Sequence, residues 1–252
     1  MLIVVSPAKR LDETPPRATD GSTPHFIDDT QVLAETAKAL SAADMEKLML
    51  ISAKLGALNA GRFAEYGSGK GEKQAIELFS GDTYTGLDAG SLDADEMAYA
   101  QRHFRMLSGL YGLLRPRDVI APHRLEMGTR LQNPRGKSLY EFWGDRIALR
   151  LNEEAAELGT DVLVNCASVE YFTAANRDAL TLRVITPTFL EDGPNGPKVM
   201  SLWAKRARGA MARYIIQNRL TDPEALLEFD SGGYRYQPEM SEPDKPVFLR
   251  SA

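Results

Sequence analysis

Leu2-Ile3-Val4-Val5-Ser6-Pro7-Ala8-Lys9 starts as an unbroken apolar run and changes character within one step. The short, β-branched half predicts a buried strand, and Ser6-Pro7 turns it into a loop. Val162-Leu163-Val164 has the same length and branching and predicts a second buried strand, followed by Asn165-Cys166-Ala167-Ser168-Val169-Glu170-Tyr171. Around these two runs the spacing of apolar residues is mostly helical. Val32, Leu33, Thr36, Ala37 and Leu40 share one face, and Ser41 with Asp44 forms a capping box for a helix carrying Met45, Leu48 and Met49. A third helix with Leu55, Leu58 and Phe63 follows the break at Ile51-Ser52.

Asp93 and Glu96 open a longer helix, whose Met97, Ala100, Phe104, Leu107 and Tyr111 face inward until Pro116 stops it. Leu139 to Leu158 reads as one helix ended by Gly159. Residues 182–189 and 198–203 flank the turn-rich stretch from Asp192 to Pro197 and read as a β-hairpin. A helix over 204–220 and two short strands near 233–237 and 246–250 complete the chain. This order predicts a mixed α/β (α+β) protein of one domain, residues 1–252, with a central mixed sheet or partial barrel wrapped by helices. It is not the regular βα alternation of a TIM barrel or a Rossmann fold.

Composition excludes several classes. The 252 residues are 43% hydrophobic and 26% charged, which is ordinary for a folded chain. Pro7, Lys9, Arg10 and Asp12 cut the first apolar run too early for a secretory signal, and no stretch approaches the roughly 20 apolar residues of a membrane span. A cytoplasmic protein with no membrane partner is expected. Cys166 is the one cysteine, and three scattered histidines form no zinc-type cluster, so neither a disulfide nor a metal site is predicted. No cofactor motif is present. The net charge of −5 conceals an uneven distribution. Gln101 to Arg150 holds ten cations against four acids, and Ser201 to Leu220 holds five cations and no acid.

That last segment contains the strongest functional signal. On a helical wheel Lys205, Arg206, Arg208, Arg213 and Arg219 span an arc of roughly 160°, with Ala207, Ala210, Met211, Tyr214 and Asn218 opposite. With no acid at i+4 the cations call for an outside anion or for acids from elsewhere in the fold. Ser6 and Lys9 follow the first strand, where open α/β sheets place ligands, although Pro7 as a plain strand terminator and Lys9 as a solvated lysine fit equally well. Asn165, Ser168 and Glu170 follow the second strand and could meet Lys9 at the same sheet edge. Ser6, Lys9, Asn165, Ser168 and Glu170 are therefore the catalytic candidates. Cys166 reads as a strand-end core residue. Met45 to Phe63 has the layout of a helix-hairpin-helix around Ile51-Ser52-Ala53-Lys54, but the glycines usual in that hairpin are missing, so an ordinary αα-hairpin fits the spacing as well.

Ser6-Pro7-Ala8-Lys9, Arg62-Phe63, Tyr84-Thr85-Gly86-Leu87, Leu107-Ser108-Gly109-Leu110-Tyr111-Gly112, Arg124-Leu125-Glu126-Met127-Gly128, Phe142-Trp143-Gly144, the Asn165 to Tyr171 block and Lys205 to Arg213 occur in an order that resembles the YaaA family of peroxide-stress proteins. The resemblance covers nearly the whole chain. It implies a single α/β domain with a helix-hairpin-helix element and a positively charged cleft that binds DNA. It also implies a stress response to hydrogen peroxide in which free iron is limited, so that iron-dependent oxidative damage to DNA falls. By position, the DNA-binding residues would be Lys9, Lys54, Arg62, Lys205, Arg206, Arg208 and Arg213, on double-stranded DNA with little sequence preference. An enzyme acting on a small phosphorylated or carboxylated metabolite in the same cleft is the alternative.

Overall fold

Leu2 to Val5 is buried at every position because it runs through the middle of a sheet. The computed structural model describes residues 1–18, 20–194 and 196–251. In chain order these residues form β1 (Leu2–Val5), α1 (Ile27–Lys38), α2 (Ala42–Met49), α3 (Ala53–Ala64), β2 (Lys73–Gln74), α4 (Ala75–Leu78) and α5 (Asp82–Leu87). Then come α6 (Ala94–His103), β3 (Phe104–Ser108), β4 (Gly112–Leu114), β5 (Val119–Ile120), α7 (Leu139–Trp143), α8 (Arg146–Leu158) and β6 (Val162–Cys166). The chain ends with α9 (Val169–Phe172), β7 (Arg183–Ile185), β8 (Thr188–Glu191), α10 (Ser201–Asn218), β9 (Tyr234–Tyr236) and β10 (Val247–Arg250).

The main sheet has the order β4-β3-β1-β6-β7. β1 lies parallel to β3 on one side and to β6 on the other, with Val5 opposite both Met106 and Cys166. β7 continues the parallel set, and β4 closes the far edge antiparallel. Strands covered on both faces carry near-continuous apolar runs, as β1 and β6 do, whereas β3 also buries Arg105 and Ser108. A smaller sheet, β8-β10-β9, packs Phe189, Phe229, Tyr234 and Phe248 ring against ring. β2 and β5 form a short antiparallel pair. The buried apolar side chains make one cluster from Met1 to Phe248, so the fold is a mixed α/β domain built on an open central sheet.

Three expectations change. The helix that starts at the Asp93–Glu96 capping box stops at His103, and Phe104 to Ser108 is β3 rather than its continuation. All five residues there are buried, and a run buried on both faces fits a helical template as readily as a strand. The 139–158 helix is two, because Gly144 takes φ +50° between α7 and α8. The hairpin over 182–203 does not form: β7 and β8 belong to different sheets, Lys198 makes only an isolated bridge to Glu191, and α10 already starts at Ser201. Asn195, within the expected turn, lies outside the described residues.

The capping box of α2 is present, with Ser41 accepting from the Asp44 N–H and Asp44 accepting from the Ser41 N–H. α2 and α3 form the helix hairpin over Leu50 to Ser52. A Cβ on Gly56 would come 2.6 Å from the Ala42 carbonyl oxygen, so this glycine serves helix packing rather than the hairpin turn. Leu50, at φ +53° and 92% exposed, occupies the turn itself.

Candidate functional site

The parallel pairing of β1 with β6 brings their carboxyl ends side by side, and the loops that leave them diverge. The chain from β1 goes to α1 and eventually to β3, whereas β6 leads to β7 on the other side. Ligands in open α/β sheets gather at such points. Here a cavity of about 470 Å³ opens, lined by Ser6 to Arg10 after β1, Cys166 at the end of β6 with Ser168, Glu170 and Tyr171 beyond it, Ser80 to Tyr84 around the start of α5, and Lys205 and Arg208 of α10.

Two serines join the strand ends. The Ser6 hydroxyl accepts the Ser168 backbone N–H at 2.8 Å and shares a hydrogen bond with the Ser168 hydroxyl at 3.2 Å. Ser168 precedes α9 without capping it, and among the described residues its hydroxyl contacts only that of Ser6. Below them Tyr84 donates to the Ser6 carbonyl at 3.1 Å. Burial raises the Tyr84 phenol well above its ordinary value; burial followed by the charges of Glu170 and Glu126 does the same to Tyr171. Both phenols stay neutral. Glu170 accepts the Gly128 N–H at 3.0 Å, and Tyr140 donates to the Glu170 carbonyl at 2.8 Å, which fixes that carboxylate on the rim.

The cations divide. Lys9 lies 3.3 Å from Glu126, whose same oxygen accepts from Arg124 at 2.7 and 2.9 Å. The other Glu126 oxygen is buried without a partner. Lys205 is exposed and Arg208 partly buried; neither makes an ion pair or a hydrogen bond among the described residues. Burial lowers the Arg208 pKa against the pull of Cys166. Cys166 is 1% exposed, and burial pushes its thiol up to about 12 despite the Arg208 charge, so it remains an unreactive thiol.

Why Lys205 and Arg208 face the cavity while Arg206 and Arg213 do not follows from a contact that the helical wheel cannot show. Gly209 sits near the middle of the cationic arc, and there α5 packs on α10 almost backbone to backbone. A Cβ on Gly209 would lie 1.8 Å from the Thr83 carbonyl oxygen, and one on Gly86 would lie 2.0 Å from that of Arg206. α5 thus parts the arc in two. Arg213 donates to the Leu87 and Asp88 carbonyls at 3.0 and 2.7 Å, satisfying the carboxyl end of α5. Arg206 lies over the Trp203 ring at 5.3 Å.

Among the residues singled out from sequence, Ser6, Lys9, Ser168, Glu170, Lys205 and Arg208 border one cavity. Asn165 is buried behind them, accepting from the Ala167 N–H at 3.0 Å and donating to Thr186 at 3.3 Å, which holds the bend after β6. Arg62 pairs with Glu13 at 2.5 Å, and Lys54 is exposed in the first turn of α3, capped by Ser52. Arg10, Asp82, Thr83 and Tyr171 were not singled out. For Asp82 and Thr83 the signal was indirect, a helical Gly86 and a helical Gly209 that mark α5 and α10 meeting closely. Among the described residues no group of three or more His, Cys, Asp or Glu side chains could hold a metal ion, and no helix is long and apolar enough to cross a membrane.

Residues 1–240 match the family model described as peroxide stress protein YaaA. A UPF0246 protein of Ruegeria pomeroyi is 57% identical over 253 residues, covering 99% of this chain and 98% of that one. One from Jannaschia is 56% identical over 252 residues (100% and 97%), and one from Cereibacter sphaeroides is 57% identical over 256 residues, covering both chains in full.

Proposed function

The chain belongs to the peroxide stress protein YaaA family, and from that premise we propose that it binds DNA in the cytoplasm through the cationic mouth of this cavity, limiting iron-dependent oxidative damage. The observation that carries the proposal is that Lys205 and Arg208, one turn apart on α10, share the mouth with Lys9 and Arg10 and have no carboxylate partner among the described residues. Cations without partners are the ones free to displace counterions from a phosphate backbone, in contrast to Arg62 and Arg213, whose charges are engaged within the fold. Contacts of that kind are insensitive to base sequence and steeply sensitive to salt.

Fluorescence anisotropy of a labelled duplex across a salt series tests this. Lys205→Ala and Arg208→Ala should each weaken binding and lower the slope of log affinity against log salt by about 1. Binding and slope unchanged in the double variant would refute the proposal.

One observation favours a second reading, an enzyme on a small phosphorylated or carboxylated metabolite. The cavity volume falls in the range of small-molecule sites, and Ser6, Lys9 and Glu170 stand on its wall. A metabolite screen by thermal shift, repeated on Lys9→Ala and Glu170→Gln, tests it.

A further inference from the structure

The part of the cavity between α10 and the serine pair has the donors of an anion site. Arg208 presents a planar fork of N–H groups with no acceptor among the described residues, a costly state for a guanidinium partly removed from water. Beside it stands the Ser6–Ser168 pair. The Ser6 oxygen accepts the Ser168 N–H, and the two hydroxyls share one hydrogen bond between them, so one of their two protons is left over whichever way that bond runs. Three kinds of donor, the guanidinium fork, the Lys205 ammonium and a serine hydroxyl, therefore border one space.

Charge selects among anions. The lining cations are Lys9, Arg10, Lys205 and Arg208, and the lining acids are Asp82 and Glu170, an excess of two positive charges. A phosphodiester or a carboxylate brings one negative charge, whereas a phosphomonoester brings about −1.5 to −2 at neutral pH. Shape agrees with this. An internal phosphate of a duplex stays on a wide rod and reaches the rim of a cavity of about 470 Å³, but only a terminal or free phosphate can enter it.

We propose that this cavity contains a subsite for a phosphomonoester dianion, held by the Arg208 fork, the Lys205 ammonium and the Ser168 hydroxyl. The phosphate is either the end of a DNA strand or a free phosphorylated metabolite, and the inference rests on the anion-binding reading of the mouth given above. Arg208 supplies the bidentate geometry, so lysine at that position keeps the charge and loses the fit.

Calorimetric titration of the full chain with inorganic phosphate and with a nucleoside monophosphate tests the subsite, with the unphosphorylated nucleoside as control. Saturable binding of both phosphates and none of the nucleoside is expected. Arg208→Ala should weaken phosphate binding by about tenfold or more, Arg208→Lys by less, and Ser168→Ala by several-fold. No saturable phosphate binding by the parent chain, or equal affinity in Arg208→Ala and Ser168→Ala variants with unchanged near-ultraviolet circular dichroism, overturns the subsite.

Two duplexes, identical except for a 5′-phosphate or a 5′-hydroxyl, separate the sources. Preference for the phosphorylated duplex over the mononucleotide assigns the subsite to strand ends, and the reverse order assigns it to a metabolite. Salt-sensitive binding of the 5′-hydroxyl duplex without phosphate binding removes the subsite and leaves the DNA reading standing. Phosphate binding without duplex binding does the opposite.

Discussion

Replacing Gly209 by alanine adds one methyl group, and the structure says what it meets. The new Cβ would lie 1.8 Å from the Thr83 carbonyl oxygen and 2.7 Å from the Leu87 nitrogen, where real Cβ contacts essentially never fall below 3.0 Å. Both obstacles are backbone, so no side chain can swing aside. α10 must retreat from α5 by roughly 1.2 Å, the difference between 1.8 and 3.0 Å, or the helices must distort. Overpacking of this kind costs about 3 kcal/mol, the upper end of its usual range, and the better helix propensity of alanine returns about 1 kcal/mol. The net expectation is a loss of about 2 kcal/mol, or a fall in Tm of about 4–8 °C for a chain of this size.

Gly61, inside α3, is the control, because a Cβ there would meet nothing within 4 Å. Gly61→Ala should therefore stabilise by about 0.5–1 kcal/mol. Equilibrium urea unfolding followed by circular dichroism reads both variants on one scale. A Gly209→Ala variant as stable as the parent, with Gly61→Ala behaving normally, would show that α5 and α10 are not in the contact described, and the partition of the cationic arc would go with it.

Arg105 on β3 and Glu154 on α8 form an ion pair at 2.6 Å with both residues nearly sealed from water. Because Arg150 still pairs with the other Glu154 oxygen at 3.0 Å, Arg105→Ala should cost about 3 kcal/mol in urea unfolding, the lower end for a broken buried pair, and the apolar double replacement Arg105→Met with Glu154→Leu much less; equal losses would refute the desolvation argument. His123 is buried, with burial lowering its pKa to about 4 from the ordinary 6.5. Because the unfolded chain takes up the proton first, stability should be complete above pH 6.5 and decline as pH falls to about 4, and His123→Phe should flatten that slope in a pH series of urea midpoints. Cys166 should resist a thiol reagent at pH 8 in the native chain and react at once in denaturant; rapid native labelling would contradict its burial.

Local chemistry was legible wherever one residue type settles the matter. β1 and β6 follow from short β-branched runs, the start of α2 from Ser41 and Asp44, and the end of α8 from Gly159 at φ +66°. The meeting of Ser6, Lys9, Ser168 and Glu170 was likewise within reach, since the first residues after two neighbouring parallel strands start side by side at the same sheet edge.

Phe104 to Ser108 was not legible. A continuous buried run has no exposed face to set its period, and only the vacancy beside β1 makes it a strand. Nor could the wheel of α10 tell which cations are free. It gives each side chain an angle about its own axis, but the cover comes from α5, more than a hundred residues away in sequence, whose Gly86 fits the backbone near Gly209. Sequence determined which elements and charges this protein has; the packing of one helix on another decided which of those charges remain available, because availability depends on what lies opposite, and that is set only when the chain is folded.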